Sequence, residues 1–371
     1  MVGPSPFRQF LWRAAVLGIA LALAWGIRGQ HGHERGAAFV GAVAGMGLAA
    51  ITGSERWVWA AVWGSLGFAV GGALSYGWFV GQALAGSQSS LLALVAVGMV
   101  WGALGTGSLA WGYRRRPLQE RLMVCGILAA TWWGIDGPLS AGLSGGHVGP
   151  RQVLLGALAG LVVALLVFYG FRREGVVVRV ALLGSLGFGA GFAIGPLWLK
   201  IGPSVGWPVD WWKAMEHTIG GLGGVALACA MWTFPHQASC PDVVPWKRWV
   251  AFGWLFLGIP AWLWANNLVY WSLEQKMVAL GTTVTGAVIL AVGLATYAVV
   301  GRSRVIRGVG FQRAWTPAEL RAGFVVLVWI GVATAIAKTT MHLAWGMTQT
   351  VFVGLAAMLT VIVWMDRWCG S

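Results

Sequence analysis

The stretch Arg28-Gly-Gln-His-Gly-His-Glu-Arg35 places two guanidinium groups, two imidazoles, a carboxylate and an amide within eight residues. Its glycines let the backbone fold tightly. Arg28, Gln30, His31, His33, Glu34 and Arg35 can therefore converge on a bound anion or a hydroxylated molecule. Guanidinium groups recognise carboxylate and phosphate through paired N–H donors, and imidazole moves protons near neutral pH. His31, His33 and Glu34 also supply the nitrogen and oxygen ligands that a zinc-like divalent metal takes. The plainer alternative is that the charges neutralise one another and pin a hairpin.

Other strings extend this inventory. Trp133-Gly-Ile-Asp-Gly137 repeats Trp25-Gly-Ile-Arg-Gly29, with Asp136 at the position of Arg28, and His147 and Arg151 follow in a longer loop. Opposite charges at matched positions could pair across a pseudo-symmetric interface. Trp211-Trp-Lys-Ala-Met-Glu-His217 opens a later apolar run. On a helix, Lys213 can share a face with Glu216 or with His217, while the adjacent Glu216 and His217 diverge. Asn266, Asn267, Lys338 and His342 add amide, amine and imidazole groups near other turns, where they serve a hydrogen-bonding solute or are simply solvated. Together these sixteen positions form the candidate binding set.

The elements that must position them are membrane helices. Of 371 residues, 58% are hydrophobic and 10% charged, against about 25% charged in a soluble domain. A soluble core could not hide that much apolar surface, whereas a bilayer solvates it, each span needing about 20 apolar residues. The chain reads as all-α, a polytopic bundle of about twelve spans: 9–29, 36–53, 57–80, 90–112, 120–140, 151–170, 178–199, 211–233, 249–269, 277–300, 322–341 and 346–365. The 57 glycines suit close helix crossing and the 26 tryptophans suit headgroup belts.

Internal similarity organises these spans. Gly64-Ser-Leu-Gly-Phe68 returns as Gly184-Ser-Leu-Gly-Phe188, and Gly41-Ala-Val-Ala-Gly45 as Gly156-Ala-Leu-Ala-Gly160. With the Trp-Gly-Ile pair, the marks keep their order in 9–112 and 120–233, which implies parallel four-helix repeats. A first unit at 1–116, a second at 117–235 and a more distant four-helix unit at 236–371 then make one membrane domain. The Gly-xxx-Gly pairs at 41/45, 156/160, 187/191 and 220/224 read as packing devices; no βαβ context surrounds them to make a nucleotide loop.

Loop charge sets the expected orientation. Counting alternate loops, 18 of the 25 basic residues fall on one side and seven (Arg28, Arg35, Arg151, Lys200, Lys213, Lys276 and Lys338) on the other. The positive-inside rule puts the richer side, with both termini, in the cytoplasm of a cell whose inner membrane holds the chain. Residues 305–321 read as a short basic helix on the inner surface. The net charge of +14 is explained by these loops facing anionic lipid, not by nucleic acid. Arg8 and Arg13 before an apolar run resemble a secretory signal, but the repeated Trp-Gly-Ile string makes the first helix part of the structure. Cys125, Cys229, Cys240 and Cys369 contain no CxxC pair, and no structural disulfide is expected.

Ionisable groups at membrane depth are costly and face a bundle interior or a wet cavity. Their collection on the side poorer in basic residues implies an outward polar chamber. The leading reading is a transporter for a small polar or anionic solute. The alternatives are a membrane-embedded enzyme with a periplasm-facing site for a lipid-linked or phosphorylated substrate, and a non-catalytic subunit of a membrane complex. Lipid and a small solute are the expected partners, and a homo-oligomer stays open.

Overall fold

The computed structural model describes residues 5–114 except 73 and 75, the single residues 126, 162 and 170, and 175–232, 245–265, 314–340 and 347–365. Apart from those single positions, the expected spans 120–140, 151–170 and 277–300 lie outside the described residues, as do Asp136, His147, Arg151, Asn266, Asn267 and His342.

Every described element is helical. Helix α1 (Pro6–His31) starts where Ser5 caps the Arg8 amide at 3.4 Å and Pro6 fills the first turn. Gly32, at φ +87°, breaks the chain before α2 (His33–Thr52), and Gly53, at φ +67°, closes α2. Then come α3 (Arg56–Gly72), the short α4 (Gly77–Leu84) and α5 (Gln88–Tyr113). After residue 175 follow α6 (Gly175–Ile194), the short α7 (Leu197–Val205) and α8 (Trp211–Trp232). Helix α9 (Pro245–Gly253) runs into a π-helical turn, Trp254–Gly258, and stays helical to residue 265. The last two are α10 (Pro317–Thr340) and α11 (Met347–Met365). Thr316 and Glu319 form a reciprocal cap on α10, with bonds of 3.2 and 2.7 Å.

Six of the described helical segments are long and apolar enough to cross a membrane, seven if α3 and α4 count as one bent span. The chain is thus built as a helical membrane protein. Two expected spans depart from continuity. The run at 57–80 breaks at Gly72 and turns by 53° into α4, where two adjacent glycines make the helix weak. The run at 178–199 is interrupted at Ile194, and Pro196, which lacks an N–H, precedes α7. Residues 317–321, expected within an inner-surface helix, are instead the first turns of α10.

Six helices close a ring in which α1, α2, α3, α5, α6 and α8 each pack on the next and α8 returns to α1. Helices α10 and α11 lie outside it, against α1, and α10 also covers α2. Glycine makes the ring tight. A Cβ on Gly45 would fall 2.5 Å from the Ala61 Cα, and one on Gly191 would fall 2.7 Å from the Ile219 Cα. Gly220 and Gly224 leave no room for a side chain against the Leu21 and Leu17 carbonyls of α1. Inside the ring Trp25 of α1 meets Trp101 of α5 at 4.7 Å and Phe188 of α6 at 5.0 Å. Since α1 and α5 are not ring neighbours, these rings fill the interior at that level.

The helices alternate in direction, which sorts the described charges to two ends. One end gathers Arg8, Arg13, Arg56, Arg114, Arg179, Lys247, Arg248 and Arg321 against Glu55 and Glu319. The other gathers Arg28, Arg35, Lys200, Lys213 and Lys338 with Glu34, Asp210 and Glu216.

Candidate functional site

The last turns of α1 carry Trp25, Gly26, Arg28 and Gly29, and the first turns of α8 carry Trp212, Lys213, Glu216 and His217. Because the two helices run antiparallel, residues 213 and 217 meet residues 26 and 22. Lys213 Nζ donates to the Gly26 carbonyl at 3.2 Å, and His217 Nδ1 lies 2.9 Å from the Ala22 carbonyl. A carbonyl only accepts, so the His217 proton is on Nδ1. Its Nε2 is buried with no hydrogen-bond partner among the described residues.

Arg28 points into the bundle and is 3% exposed. Its Nη1 donates to the Tyr76 hydroxyl at 2.9 Å, and its Nη2 reaches His33 Nδ1 at 2.7 Å. Arginine has donors only, so His33 accepts through Nδ1 and holds its proton on Nε2. The guanidinium carbon sits 4.7 Å from the Trp101 ring, 4.9 Å from Tyr76 and 5.8 Å from Trp25. These ring faces stabilise a desolvated cation by about 2 kcal/mol or more in total. Among the described residues Arg28 forms no salt bridge to a carboxylate, and its buried Nε has no hydrogen-bond partner.

Tyr76 carries the connection onward. Its hydroxyl accepts from Arg28 and donates to Glu216 Oε1 at 3.2 Å. Trp212 Nε1 donates to the same oxygen at 3.3 Å, and Lys213 is ion-paired with Oε2. Glu216 is 1% exposed. The resulting path runs His33–Arg28–Tyr76–Glu216–Lys213 through α2, α1, the α3–α4 break and α8. Two cations and one carboxylate leave it with a surplus positive charge. Asp210, exposed at the rim, accepts from the Lys213 amide at 3.1 Å and from Thr348 of α11 at 3.4 Å.

Each glycine of the Trp-Gly-Ile-Arg-Gly string has a steric reason. A Cβ on Gly26 would collide with the His217 ring, and one on Gly29 would collide with the Glu216 carboxylate. Gly36 of α2 admits the Arg28 backbone, where an added Cβ would fall 2.6 Å from the Arg28 Cα.

Of the sequence candidates, Arg28, His33, Lys213 and Glu216 come together, with His217 one turn deeper. His31 is fully buried in the same turn, and Gln30, Glu34 and Arg35 are half-buried beside it. Lys338 lies near the end of α10. Among the described residues no group of three or more His, Cys, Asp or Glu side chains is placed to hold a metal, so His31, His33 and Glu34 do not form one. Sequence reasoning missed Tyr76, Trp25, Trp101 and Trp212. The available signal for Tyr76 was its rarity, with five tyrosines in the chain, and its place just after Gly71-Gly72. No known protein family, curated protein or solved structure matches the chain.

Proposed function

We propose that the chain is a membrane transporter for a small anionic solute, which it takes up at the end where α1 meets α8. The carrying observation is the buried Arg28 guanidinium, held by a tyrosine, a histidine and aromatic faces, with no carboxylate of its own among the described residues. A desolvated arginine without a counter-ion is costly unless an anion comes to it. Lys213, shared with Glu216 and the Gly26 carbonyl, adds to the same positive surplus.

The transport reading draws on the two halves of the ring. The two Gly-Ser-Leu-Gly-Phe strings lie within α3 and α6. Each helix ends soon after, and the short helices α4 and α7 begin at the same distance beyond, with Trp78 and Trp198 at matching places. That correspondence supports parallel repeats rocking about a shared site, within twelve spans in all. The gathering of arginines at the far end supports an inner membrane location with both termini cytoplasmic and the site facing outward.

A second reading, a one-sided membrane enzyme, is favoured by the deeper ring. There the hydroxyls of Ser65 and Thr106 are spent on backbone carbonyls, those of their own helices at 2.7 Å and, for Thr106, also Val180 of α6 at 2.9 Å. Rings fill the interior, so among the described residues the polar lining stops near Glu216.

Reconstitution into proteoliposomes tests both. Transport predicts saturable uptake of radiolabelled small anions, lost in Arg28→Ala. Anion consumption without vesicle accumulation would replace transport with catalysis. For orientation, single cysteines at Ala85 and Arg8, after removal of the native cysteines, are expected to label from opposite sides; labelling from one side overturns the assigned topology.

A further inference from the structure

Resting on the reading of this end as an anion site, we infer that Glu216 is a tethered occupant of the place where a small external carboxylate binds, and that the carboxylate enters with one proton. The Glu216 carboxylate is received by three donors: the Tyr76 hydroxyl, the Trp212 indole N–H and the Lys213 ammonium. Such a set suits a carboxylate and offers nothing to an organic cation.

The donors do not depend on Glu216 for their placement. Arg28 donates to the Tyr76 oxygen, which leaves the hydroxyl hydrogen for the acceptor site. The Gly26 carbonyl holds the Lys213 ammonium. The Asp210 carboxylate caps the α8 turn from which Lys213 and Trp212 project. If Glu216 swings away, a cradle the size of one carboxylate remains. The way out is short, because the carboxylate lies against Gly29, which is itself exposed, and Trp212 is 38% exposed.

Charge fixes the stoichiometry. The charged and titratable groups around Glu216 among the described residues include Arg28, Tyr76, Asp210, Lys213 and His217, with His33 bonded to Arg28 and His31, Glu34 and Arg35 in the adjoining turn. Expelling an ionised Glu216 in favour of a second carboxylate would put two anions where one now lies. Protonating Glu216 first takes one proton from the aqueous side, frees both oxygens from the ammonium, and leaves Arg28 and Lys213 in excess. One external carboxylate then restores the present balance. Proton and anion enter with no change in net charge.

The full-length protein in detergent is titrated with acetate by calorimetry, with tetramethylammonium as control, for wild type, Glu216→Gln and the double variant Tyr76→Phe/Glu216→Gln. Wild-type affinity is expected to rise up to tenfold for each unit that the pH falls, as for one linked proton. Glu216→Gln should bind acetate without that pH dependence, and the double variant at least several-fold more weakly. Wild-type binding independent of pH, or a folded Glu216→Gln protein that ignores acetate, overturns the inference. If Glu216→Gln does not fold, Glu216→Ala supplies the test: melting raised by acetate but not by tetramethylammonium supports it, and no rise overturns it. Acetate binding by Glu216→Gln without acetate uptake in proteoliposomes removes transport and leaves this inference standing. Proton-coupled acetate uptake unaltered by Glu216→Gln does the reverse.

Discussion

The Glu216 carboxylate lies against the Cα of Gly29, so closely that a methyl group at position 29 would overlap both carboxylate oxygens. The backbone of α1 therefore shapes the seat of an α8 side chain. Gly29→Ala is expected to displace Glu216 and cost about 1–3 kcal/mol, the usual range for overpacking a filled site. Thermal unfolding in detergent checks this. A Gly29→Ala protein as stable as wild type would mean that Glu216 does not sit in that seat.

Tyr76 is the joint between two charges, accepting from Arg28 and donating to Glu216. Tyr76→Phe keeps the ring stacked beside Trp212 but removes both bonds. Leaving a buried donor and a buried acceptor short of a partner costs about 1–3 kcal/mol. Combined with Glu216→Gln in a double-mutant cycle, it should show a coupling of roughly 0.5–3 kcal/mol. Strict additivity would separate the two residues energetically.

Glycine at 220 and glycine at 221 differ by one position and have opposite surroundings. A Cβ at 220 would strike the Leu21 carbonyl, whereas at 221 the nearest atom is the Ala22 Cβ, at 3.7 Å. Gly220→Ala should wedge α8 from α1 and lower the melting temperature. Gly221→Ala should be neutral or stabilising by up to about 1 kcal/mol through helix propensity. Equal effects in thermal melts would contradict the observed face of α8.

At the opposite end, Arg248 holds Glu55 with two bonds, of 3.0 and 2.7 Å, and the Trp315 amide donates to the same carboxylate at 3.2 Å. This clamp ties α9 and the entry to α10 onto the turn before α3. Removing one member of a buried pair costs roughly 3–5 kcal/mol, and Arg248→Ala should fall near 3 because Glu55 keeps some contact with solvent. The double variant Glu55→Ala/Arg248→Ala should recover part of that loss. No recovery would show that Arg248 acts through packing instead of charge.

Composition alone determined that this is a helical membrane protein, because no soluble core could bury so large an apolar fraction. Loop position likewise sorted the basic residues into two groups, since charge is excluded from the middle of apolar helices. The chemical string around Arg28 and the Lys213–Glu216 spacing were also legible, each being contained within one or two helical turns. The tertiary fold decided which of these groups meet. Tyr76 lies in a break between two helices, and its rarity and its place after two glycines do not say that it bridges α1 and α8. Tryptophans that composition would assign to headgroup belts proved divided, with Trp25 and Trp101 wholly buried around Arg28. A side chain's distant partners depend on which helix faces close the ring. That closure is set by backbone approach at glycines from both sides, a property no single stretch of sequence carries.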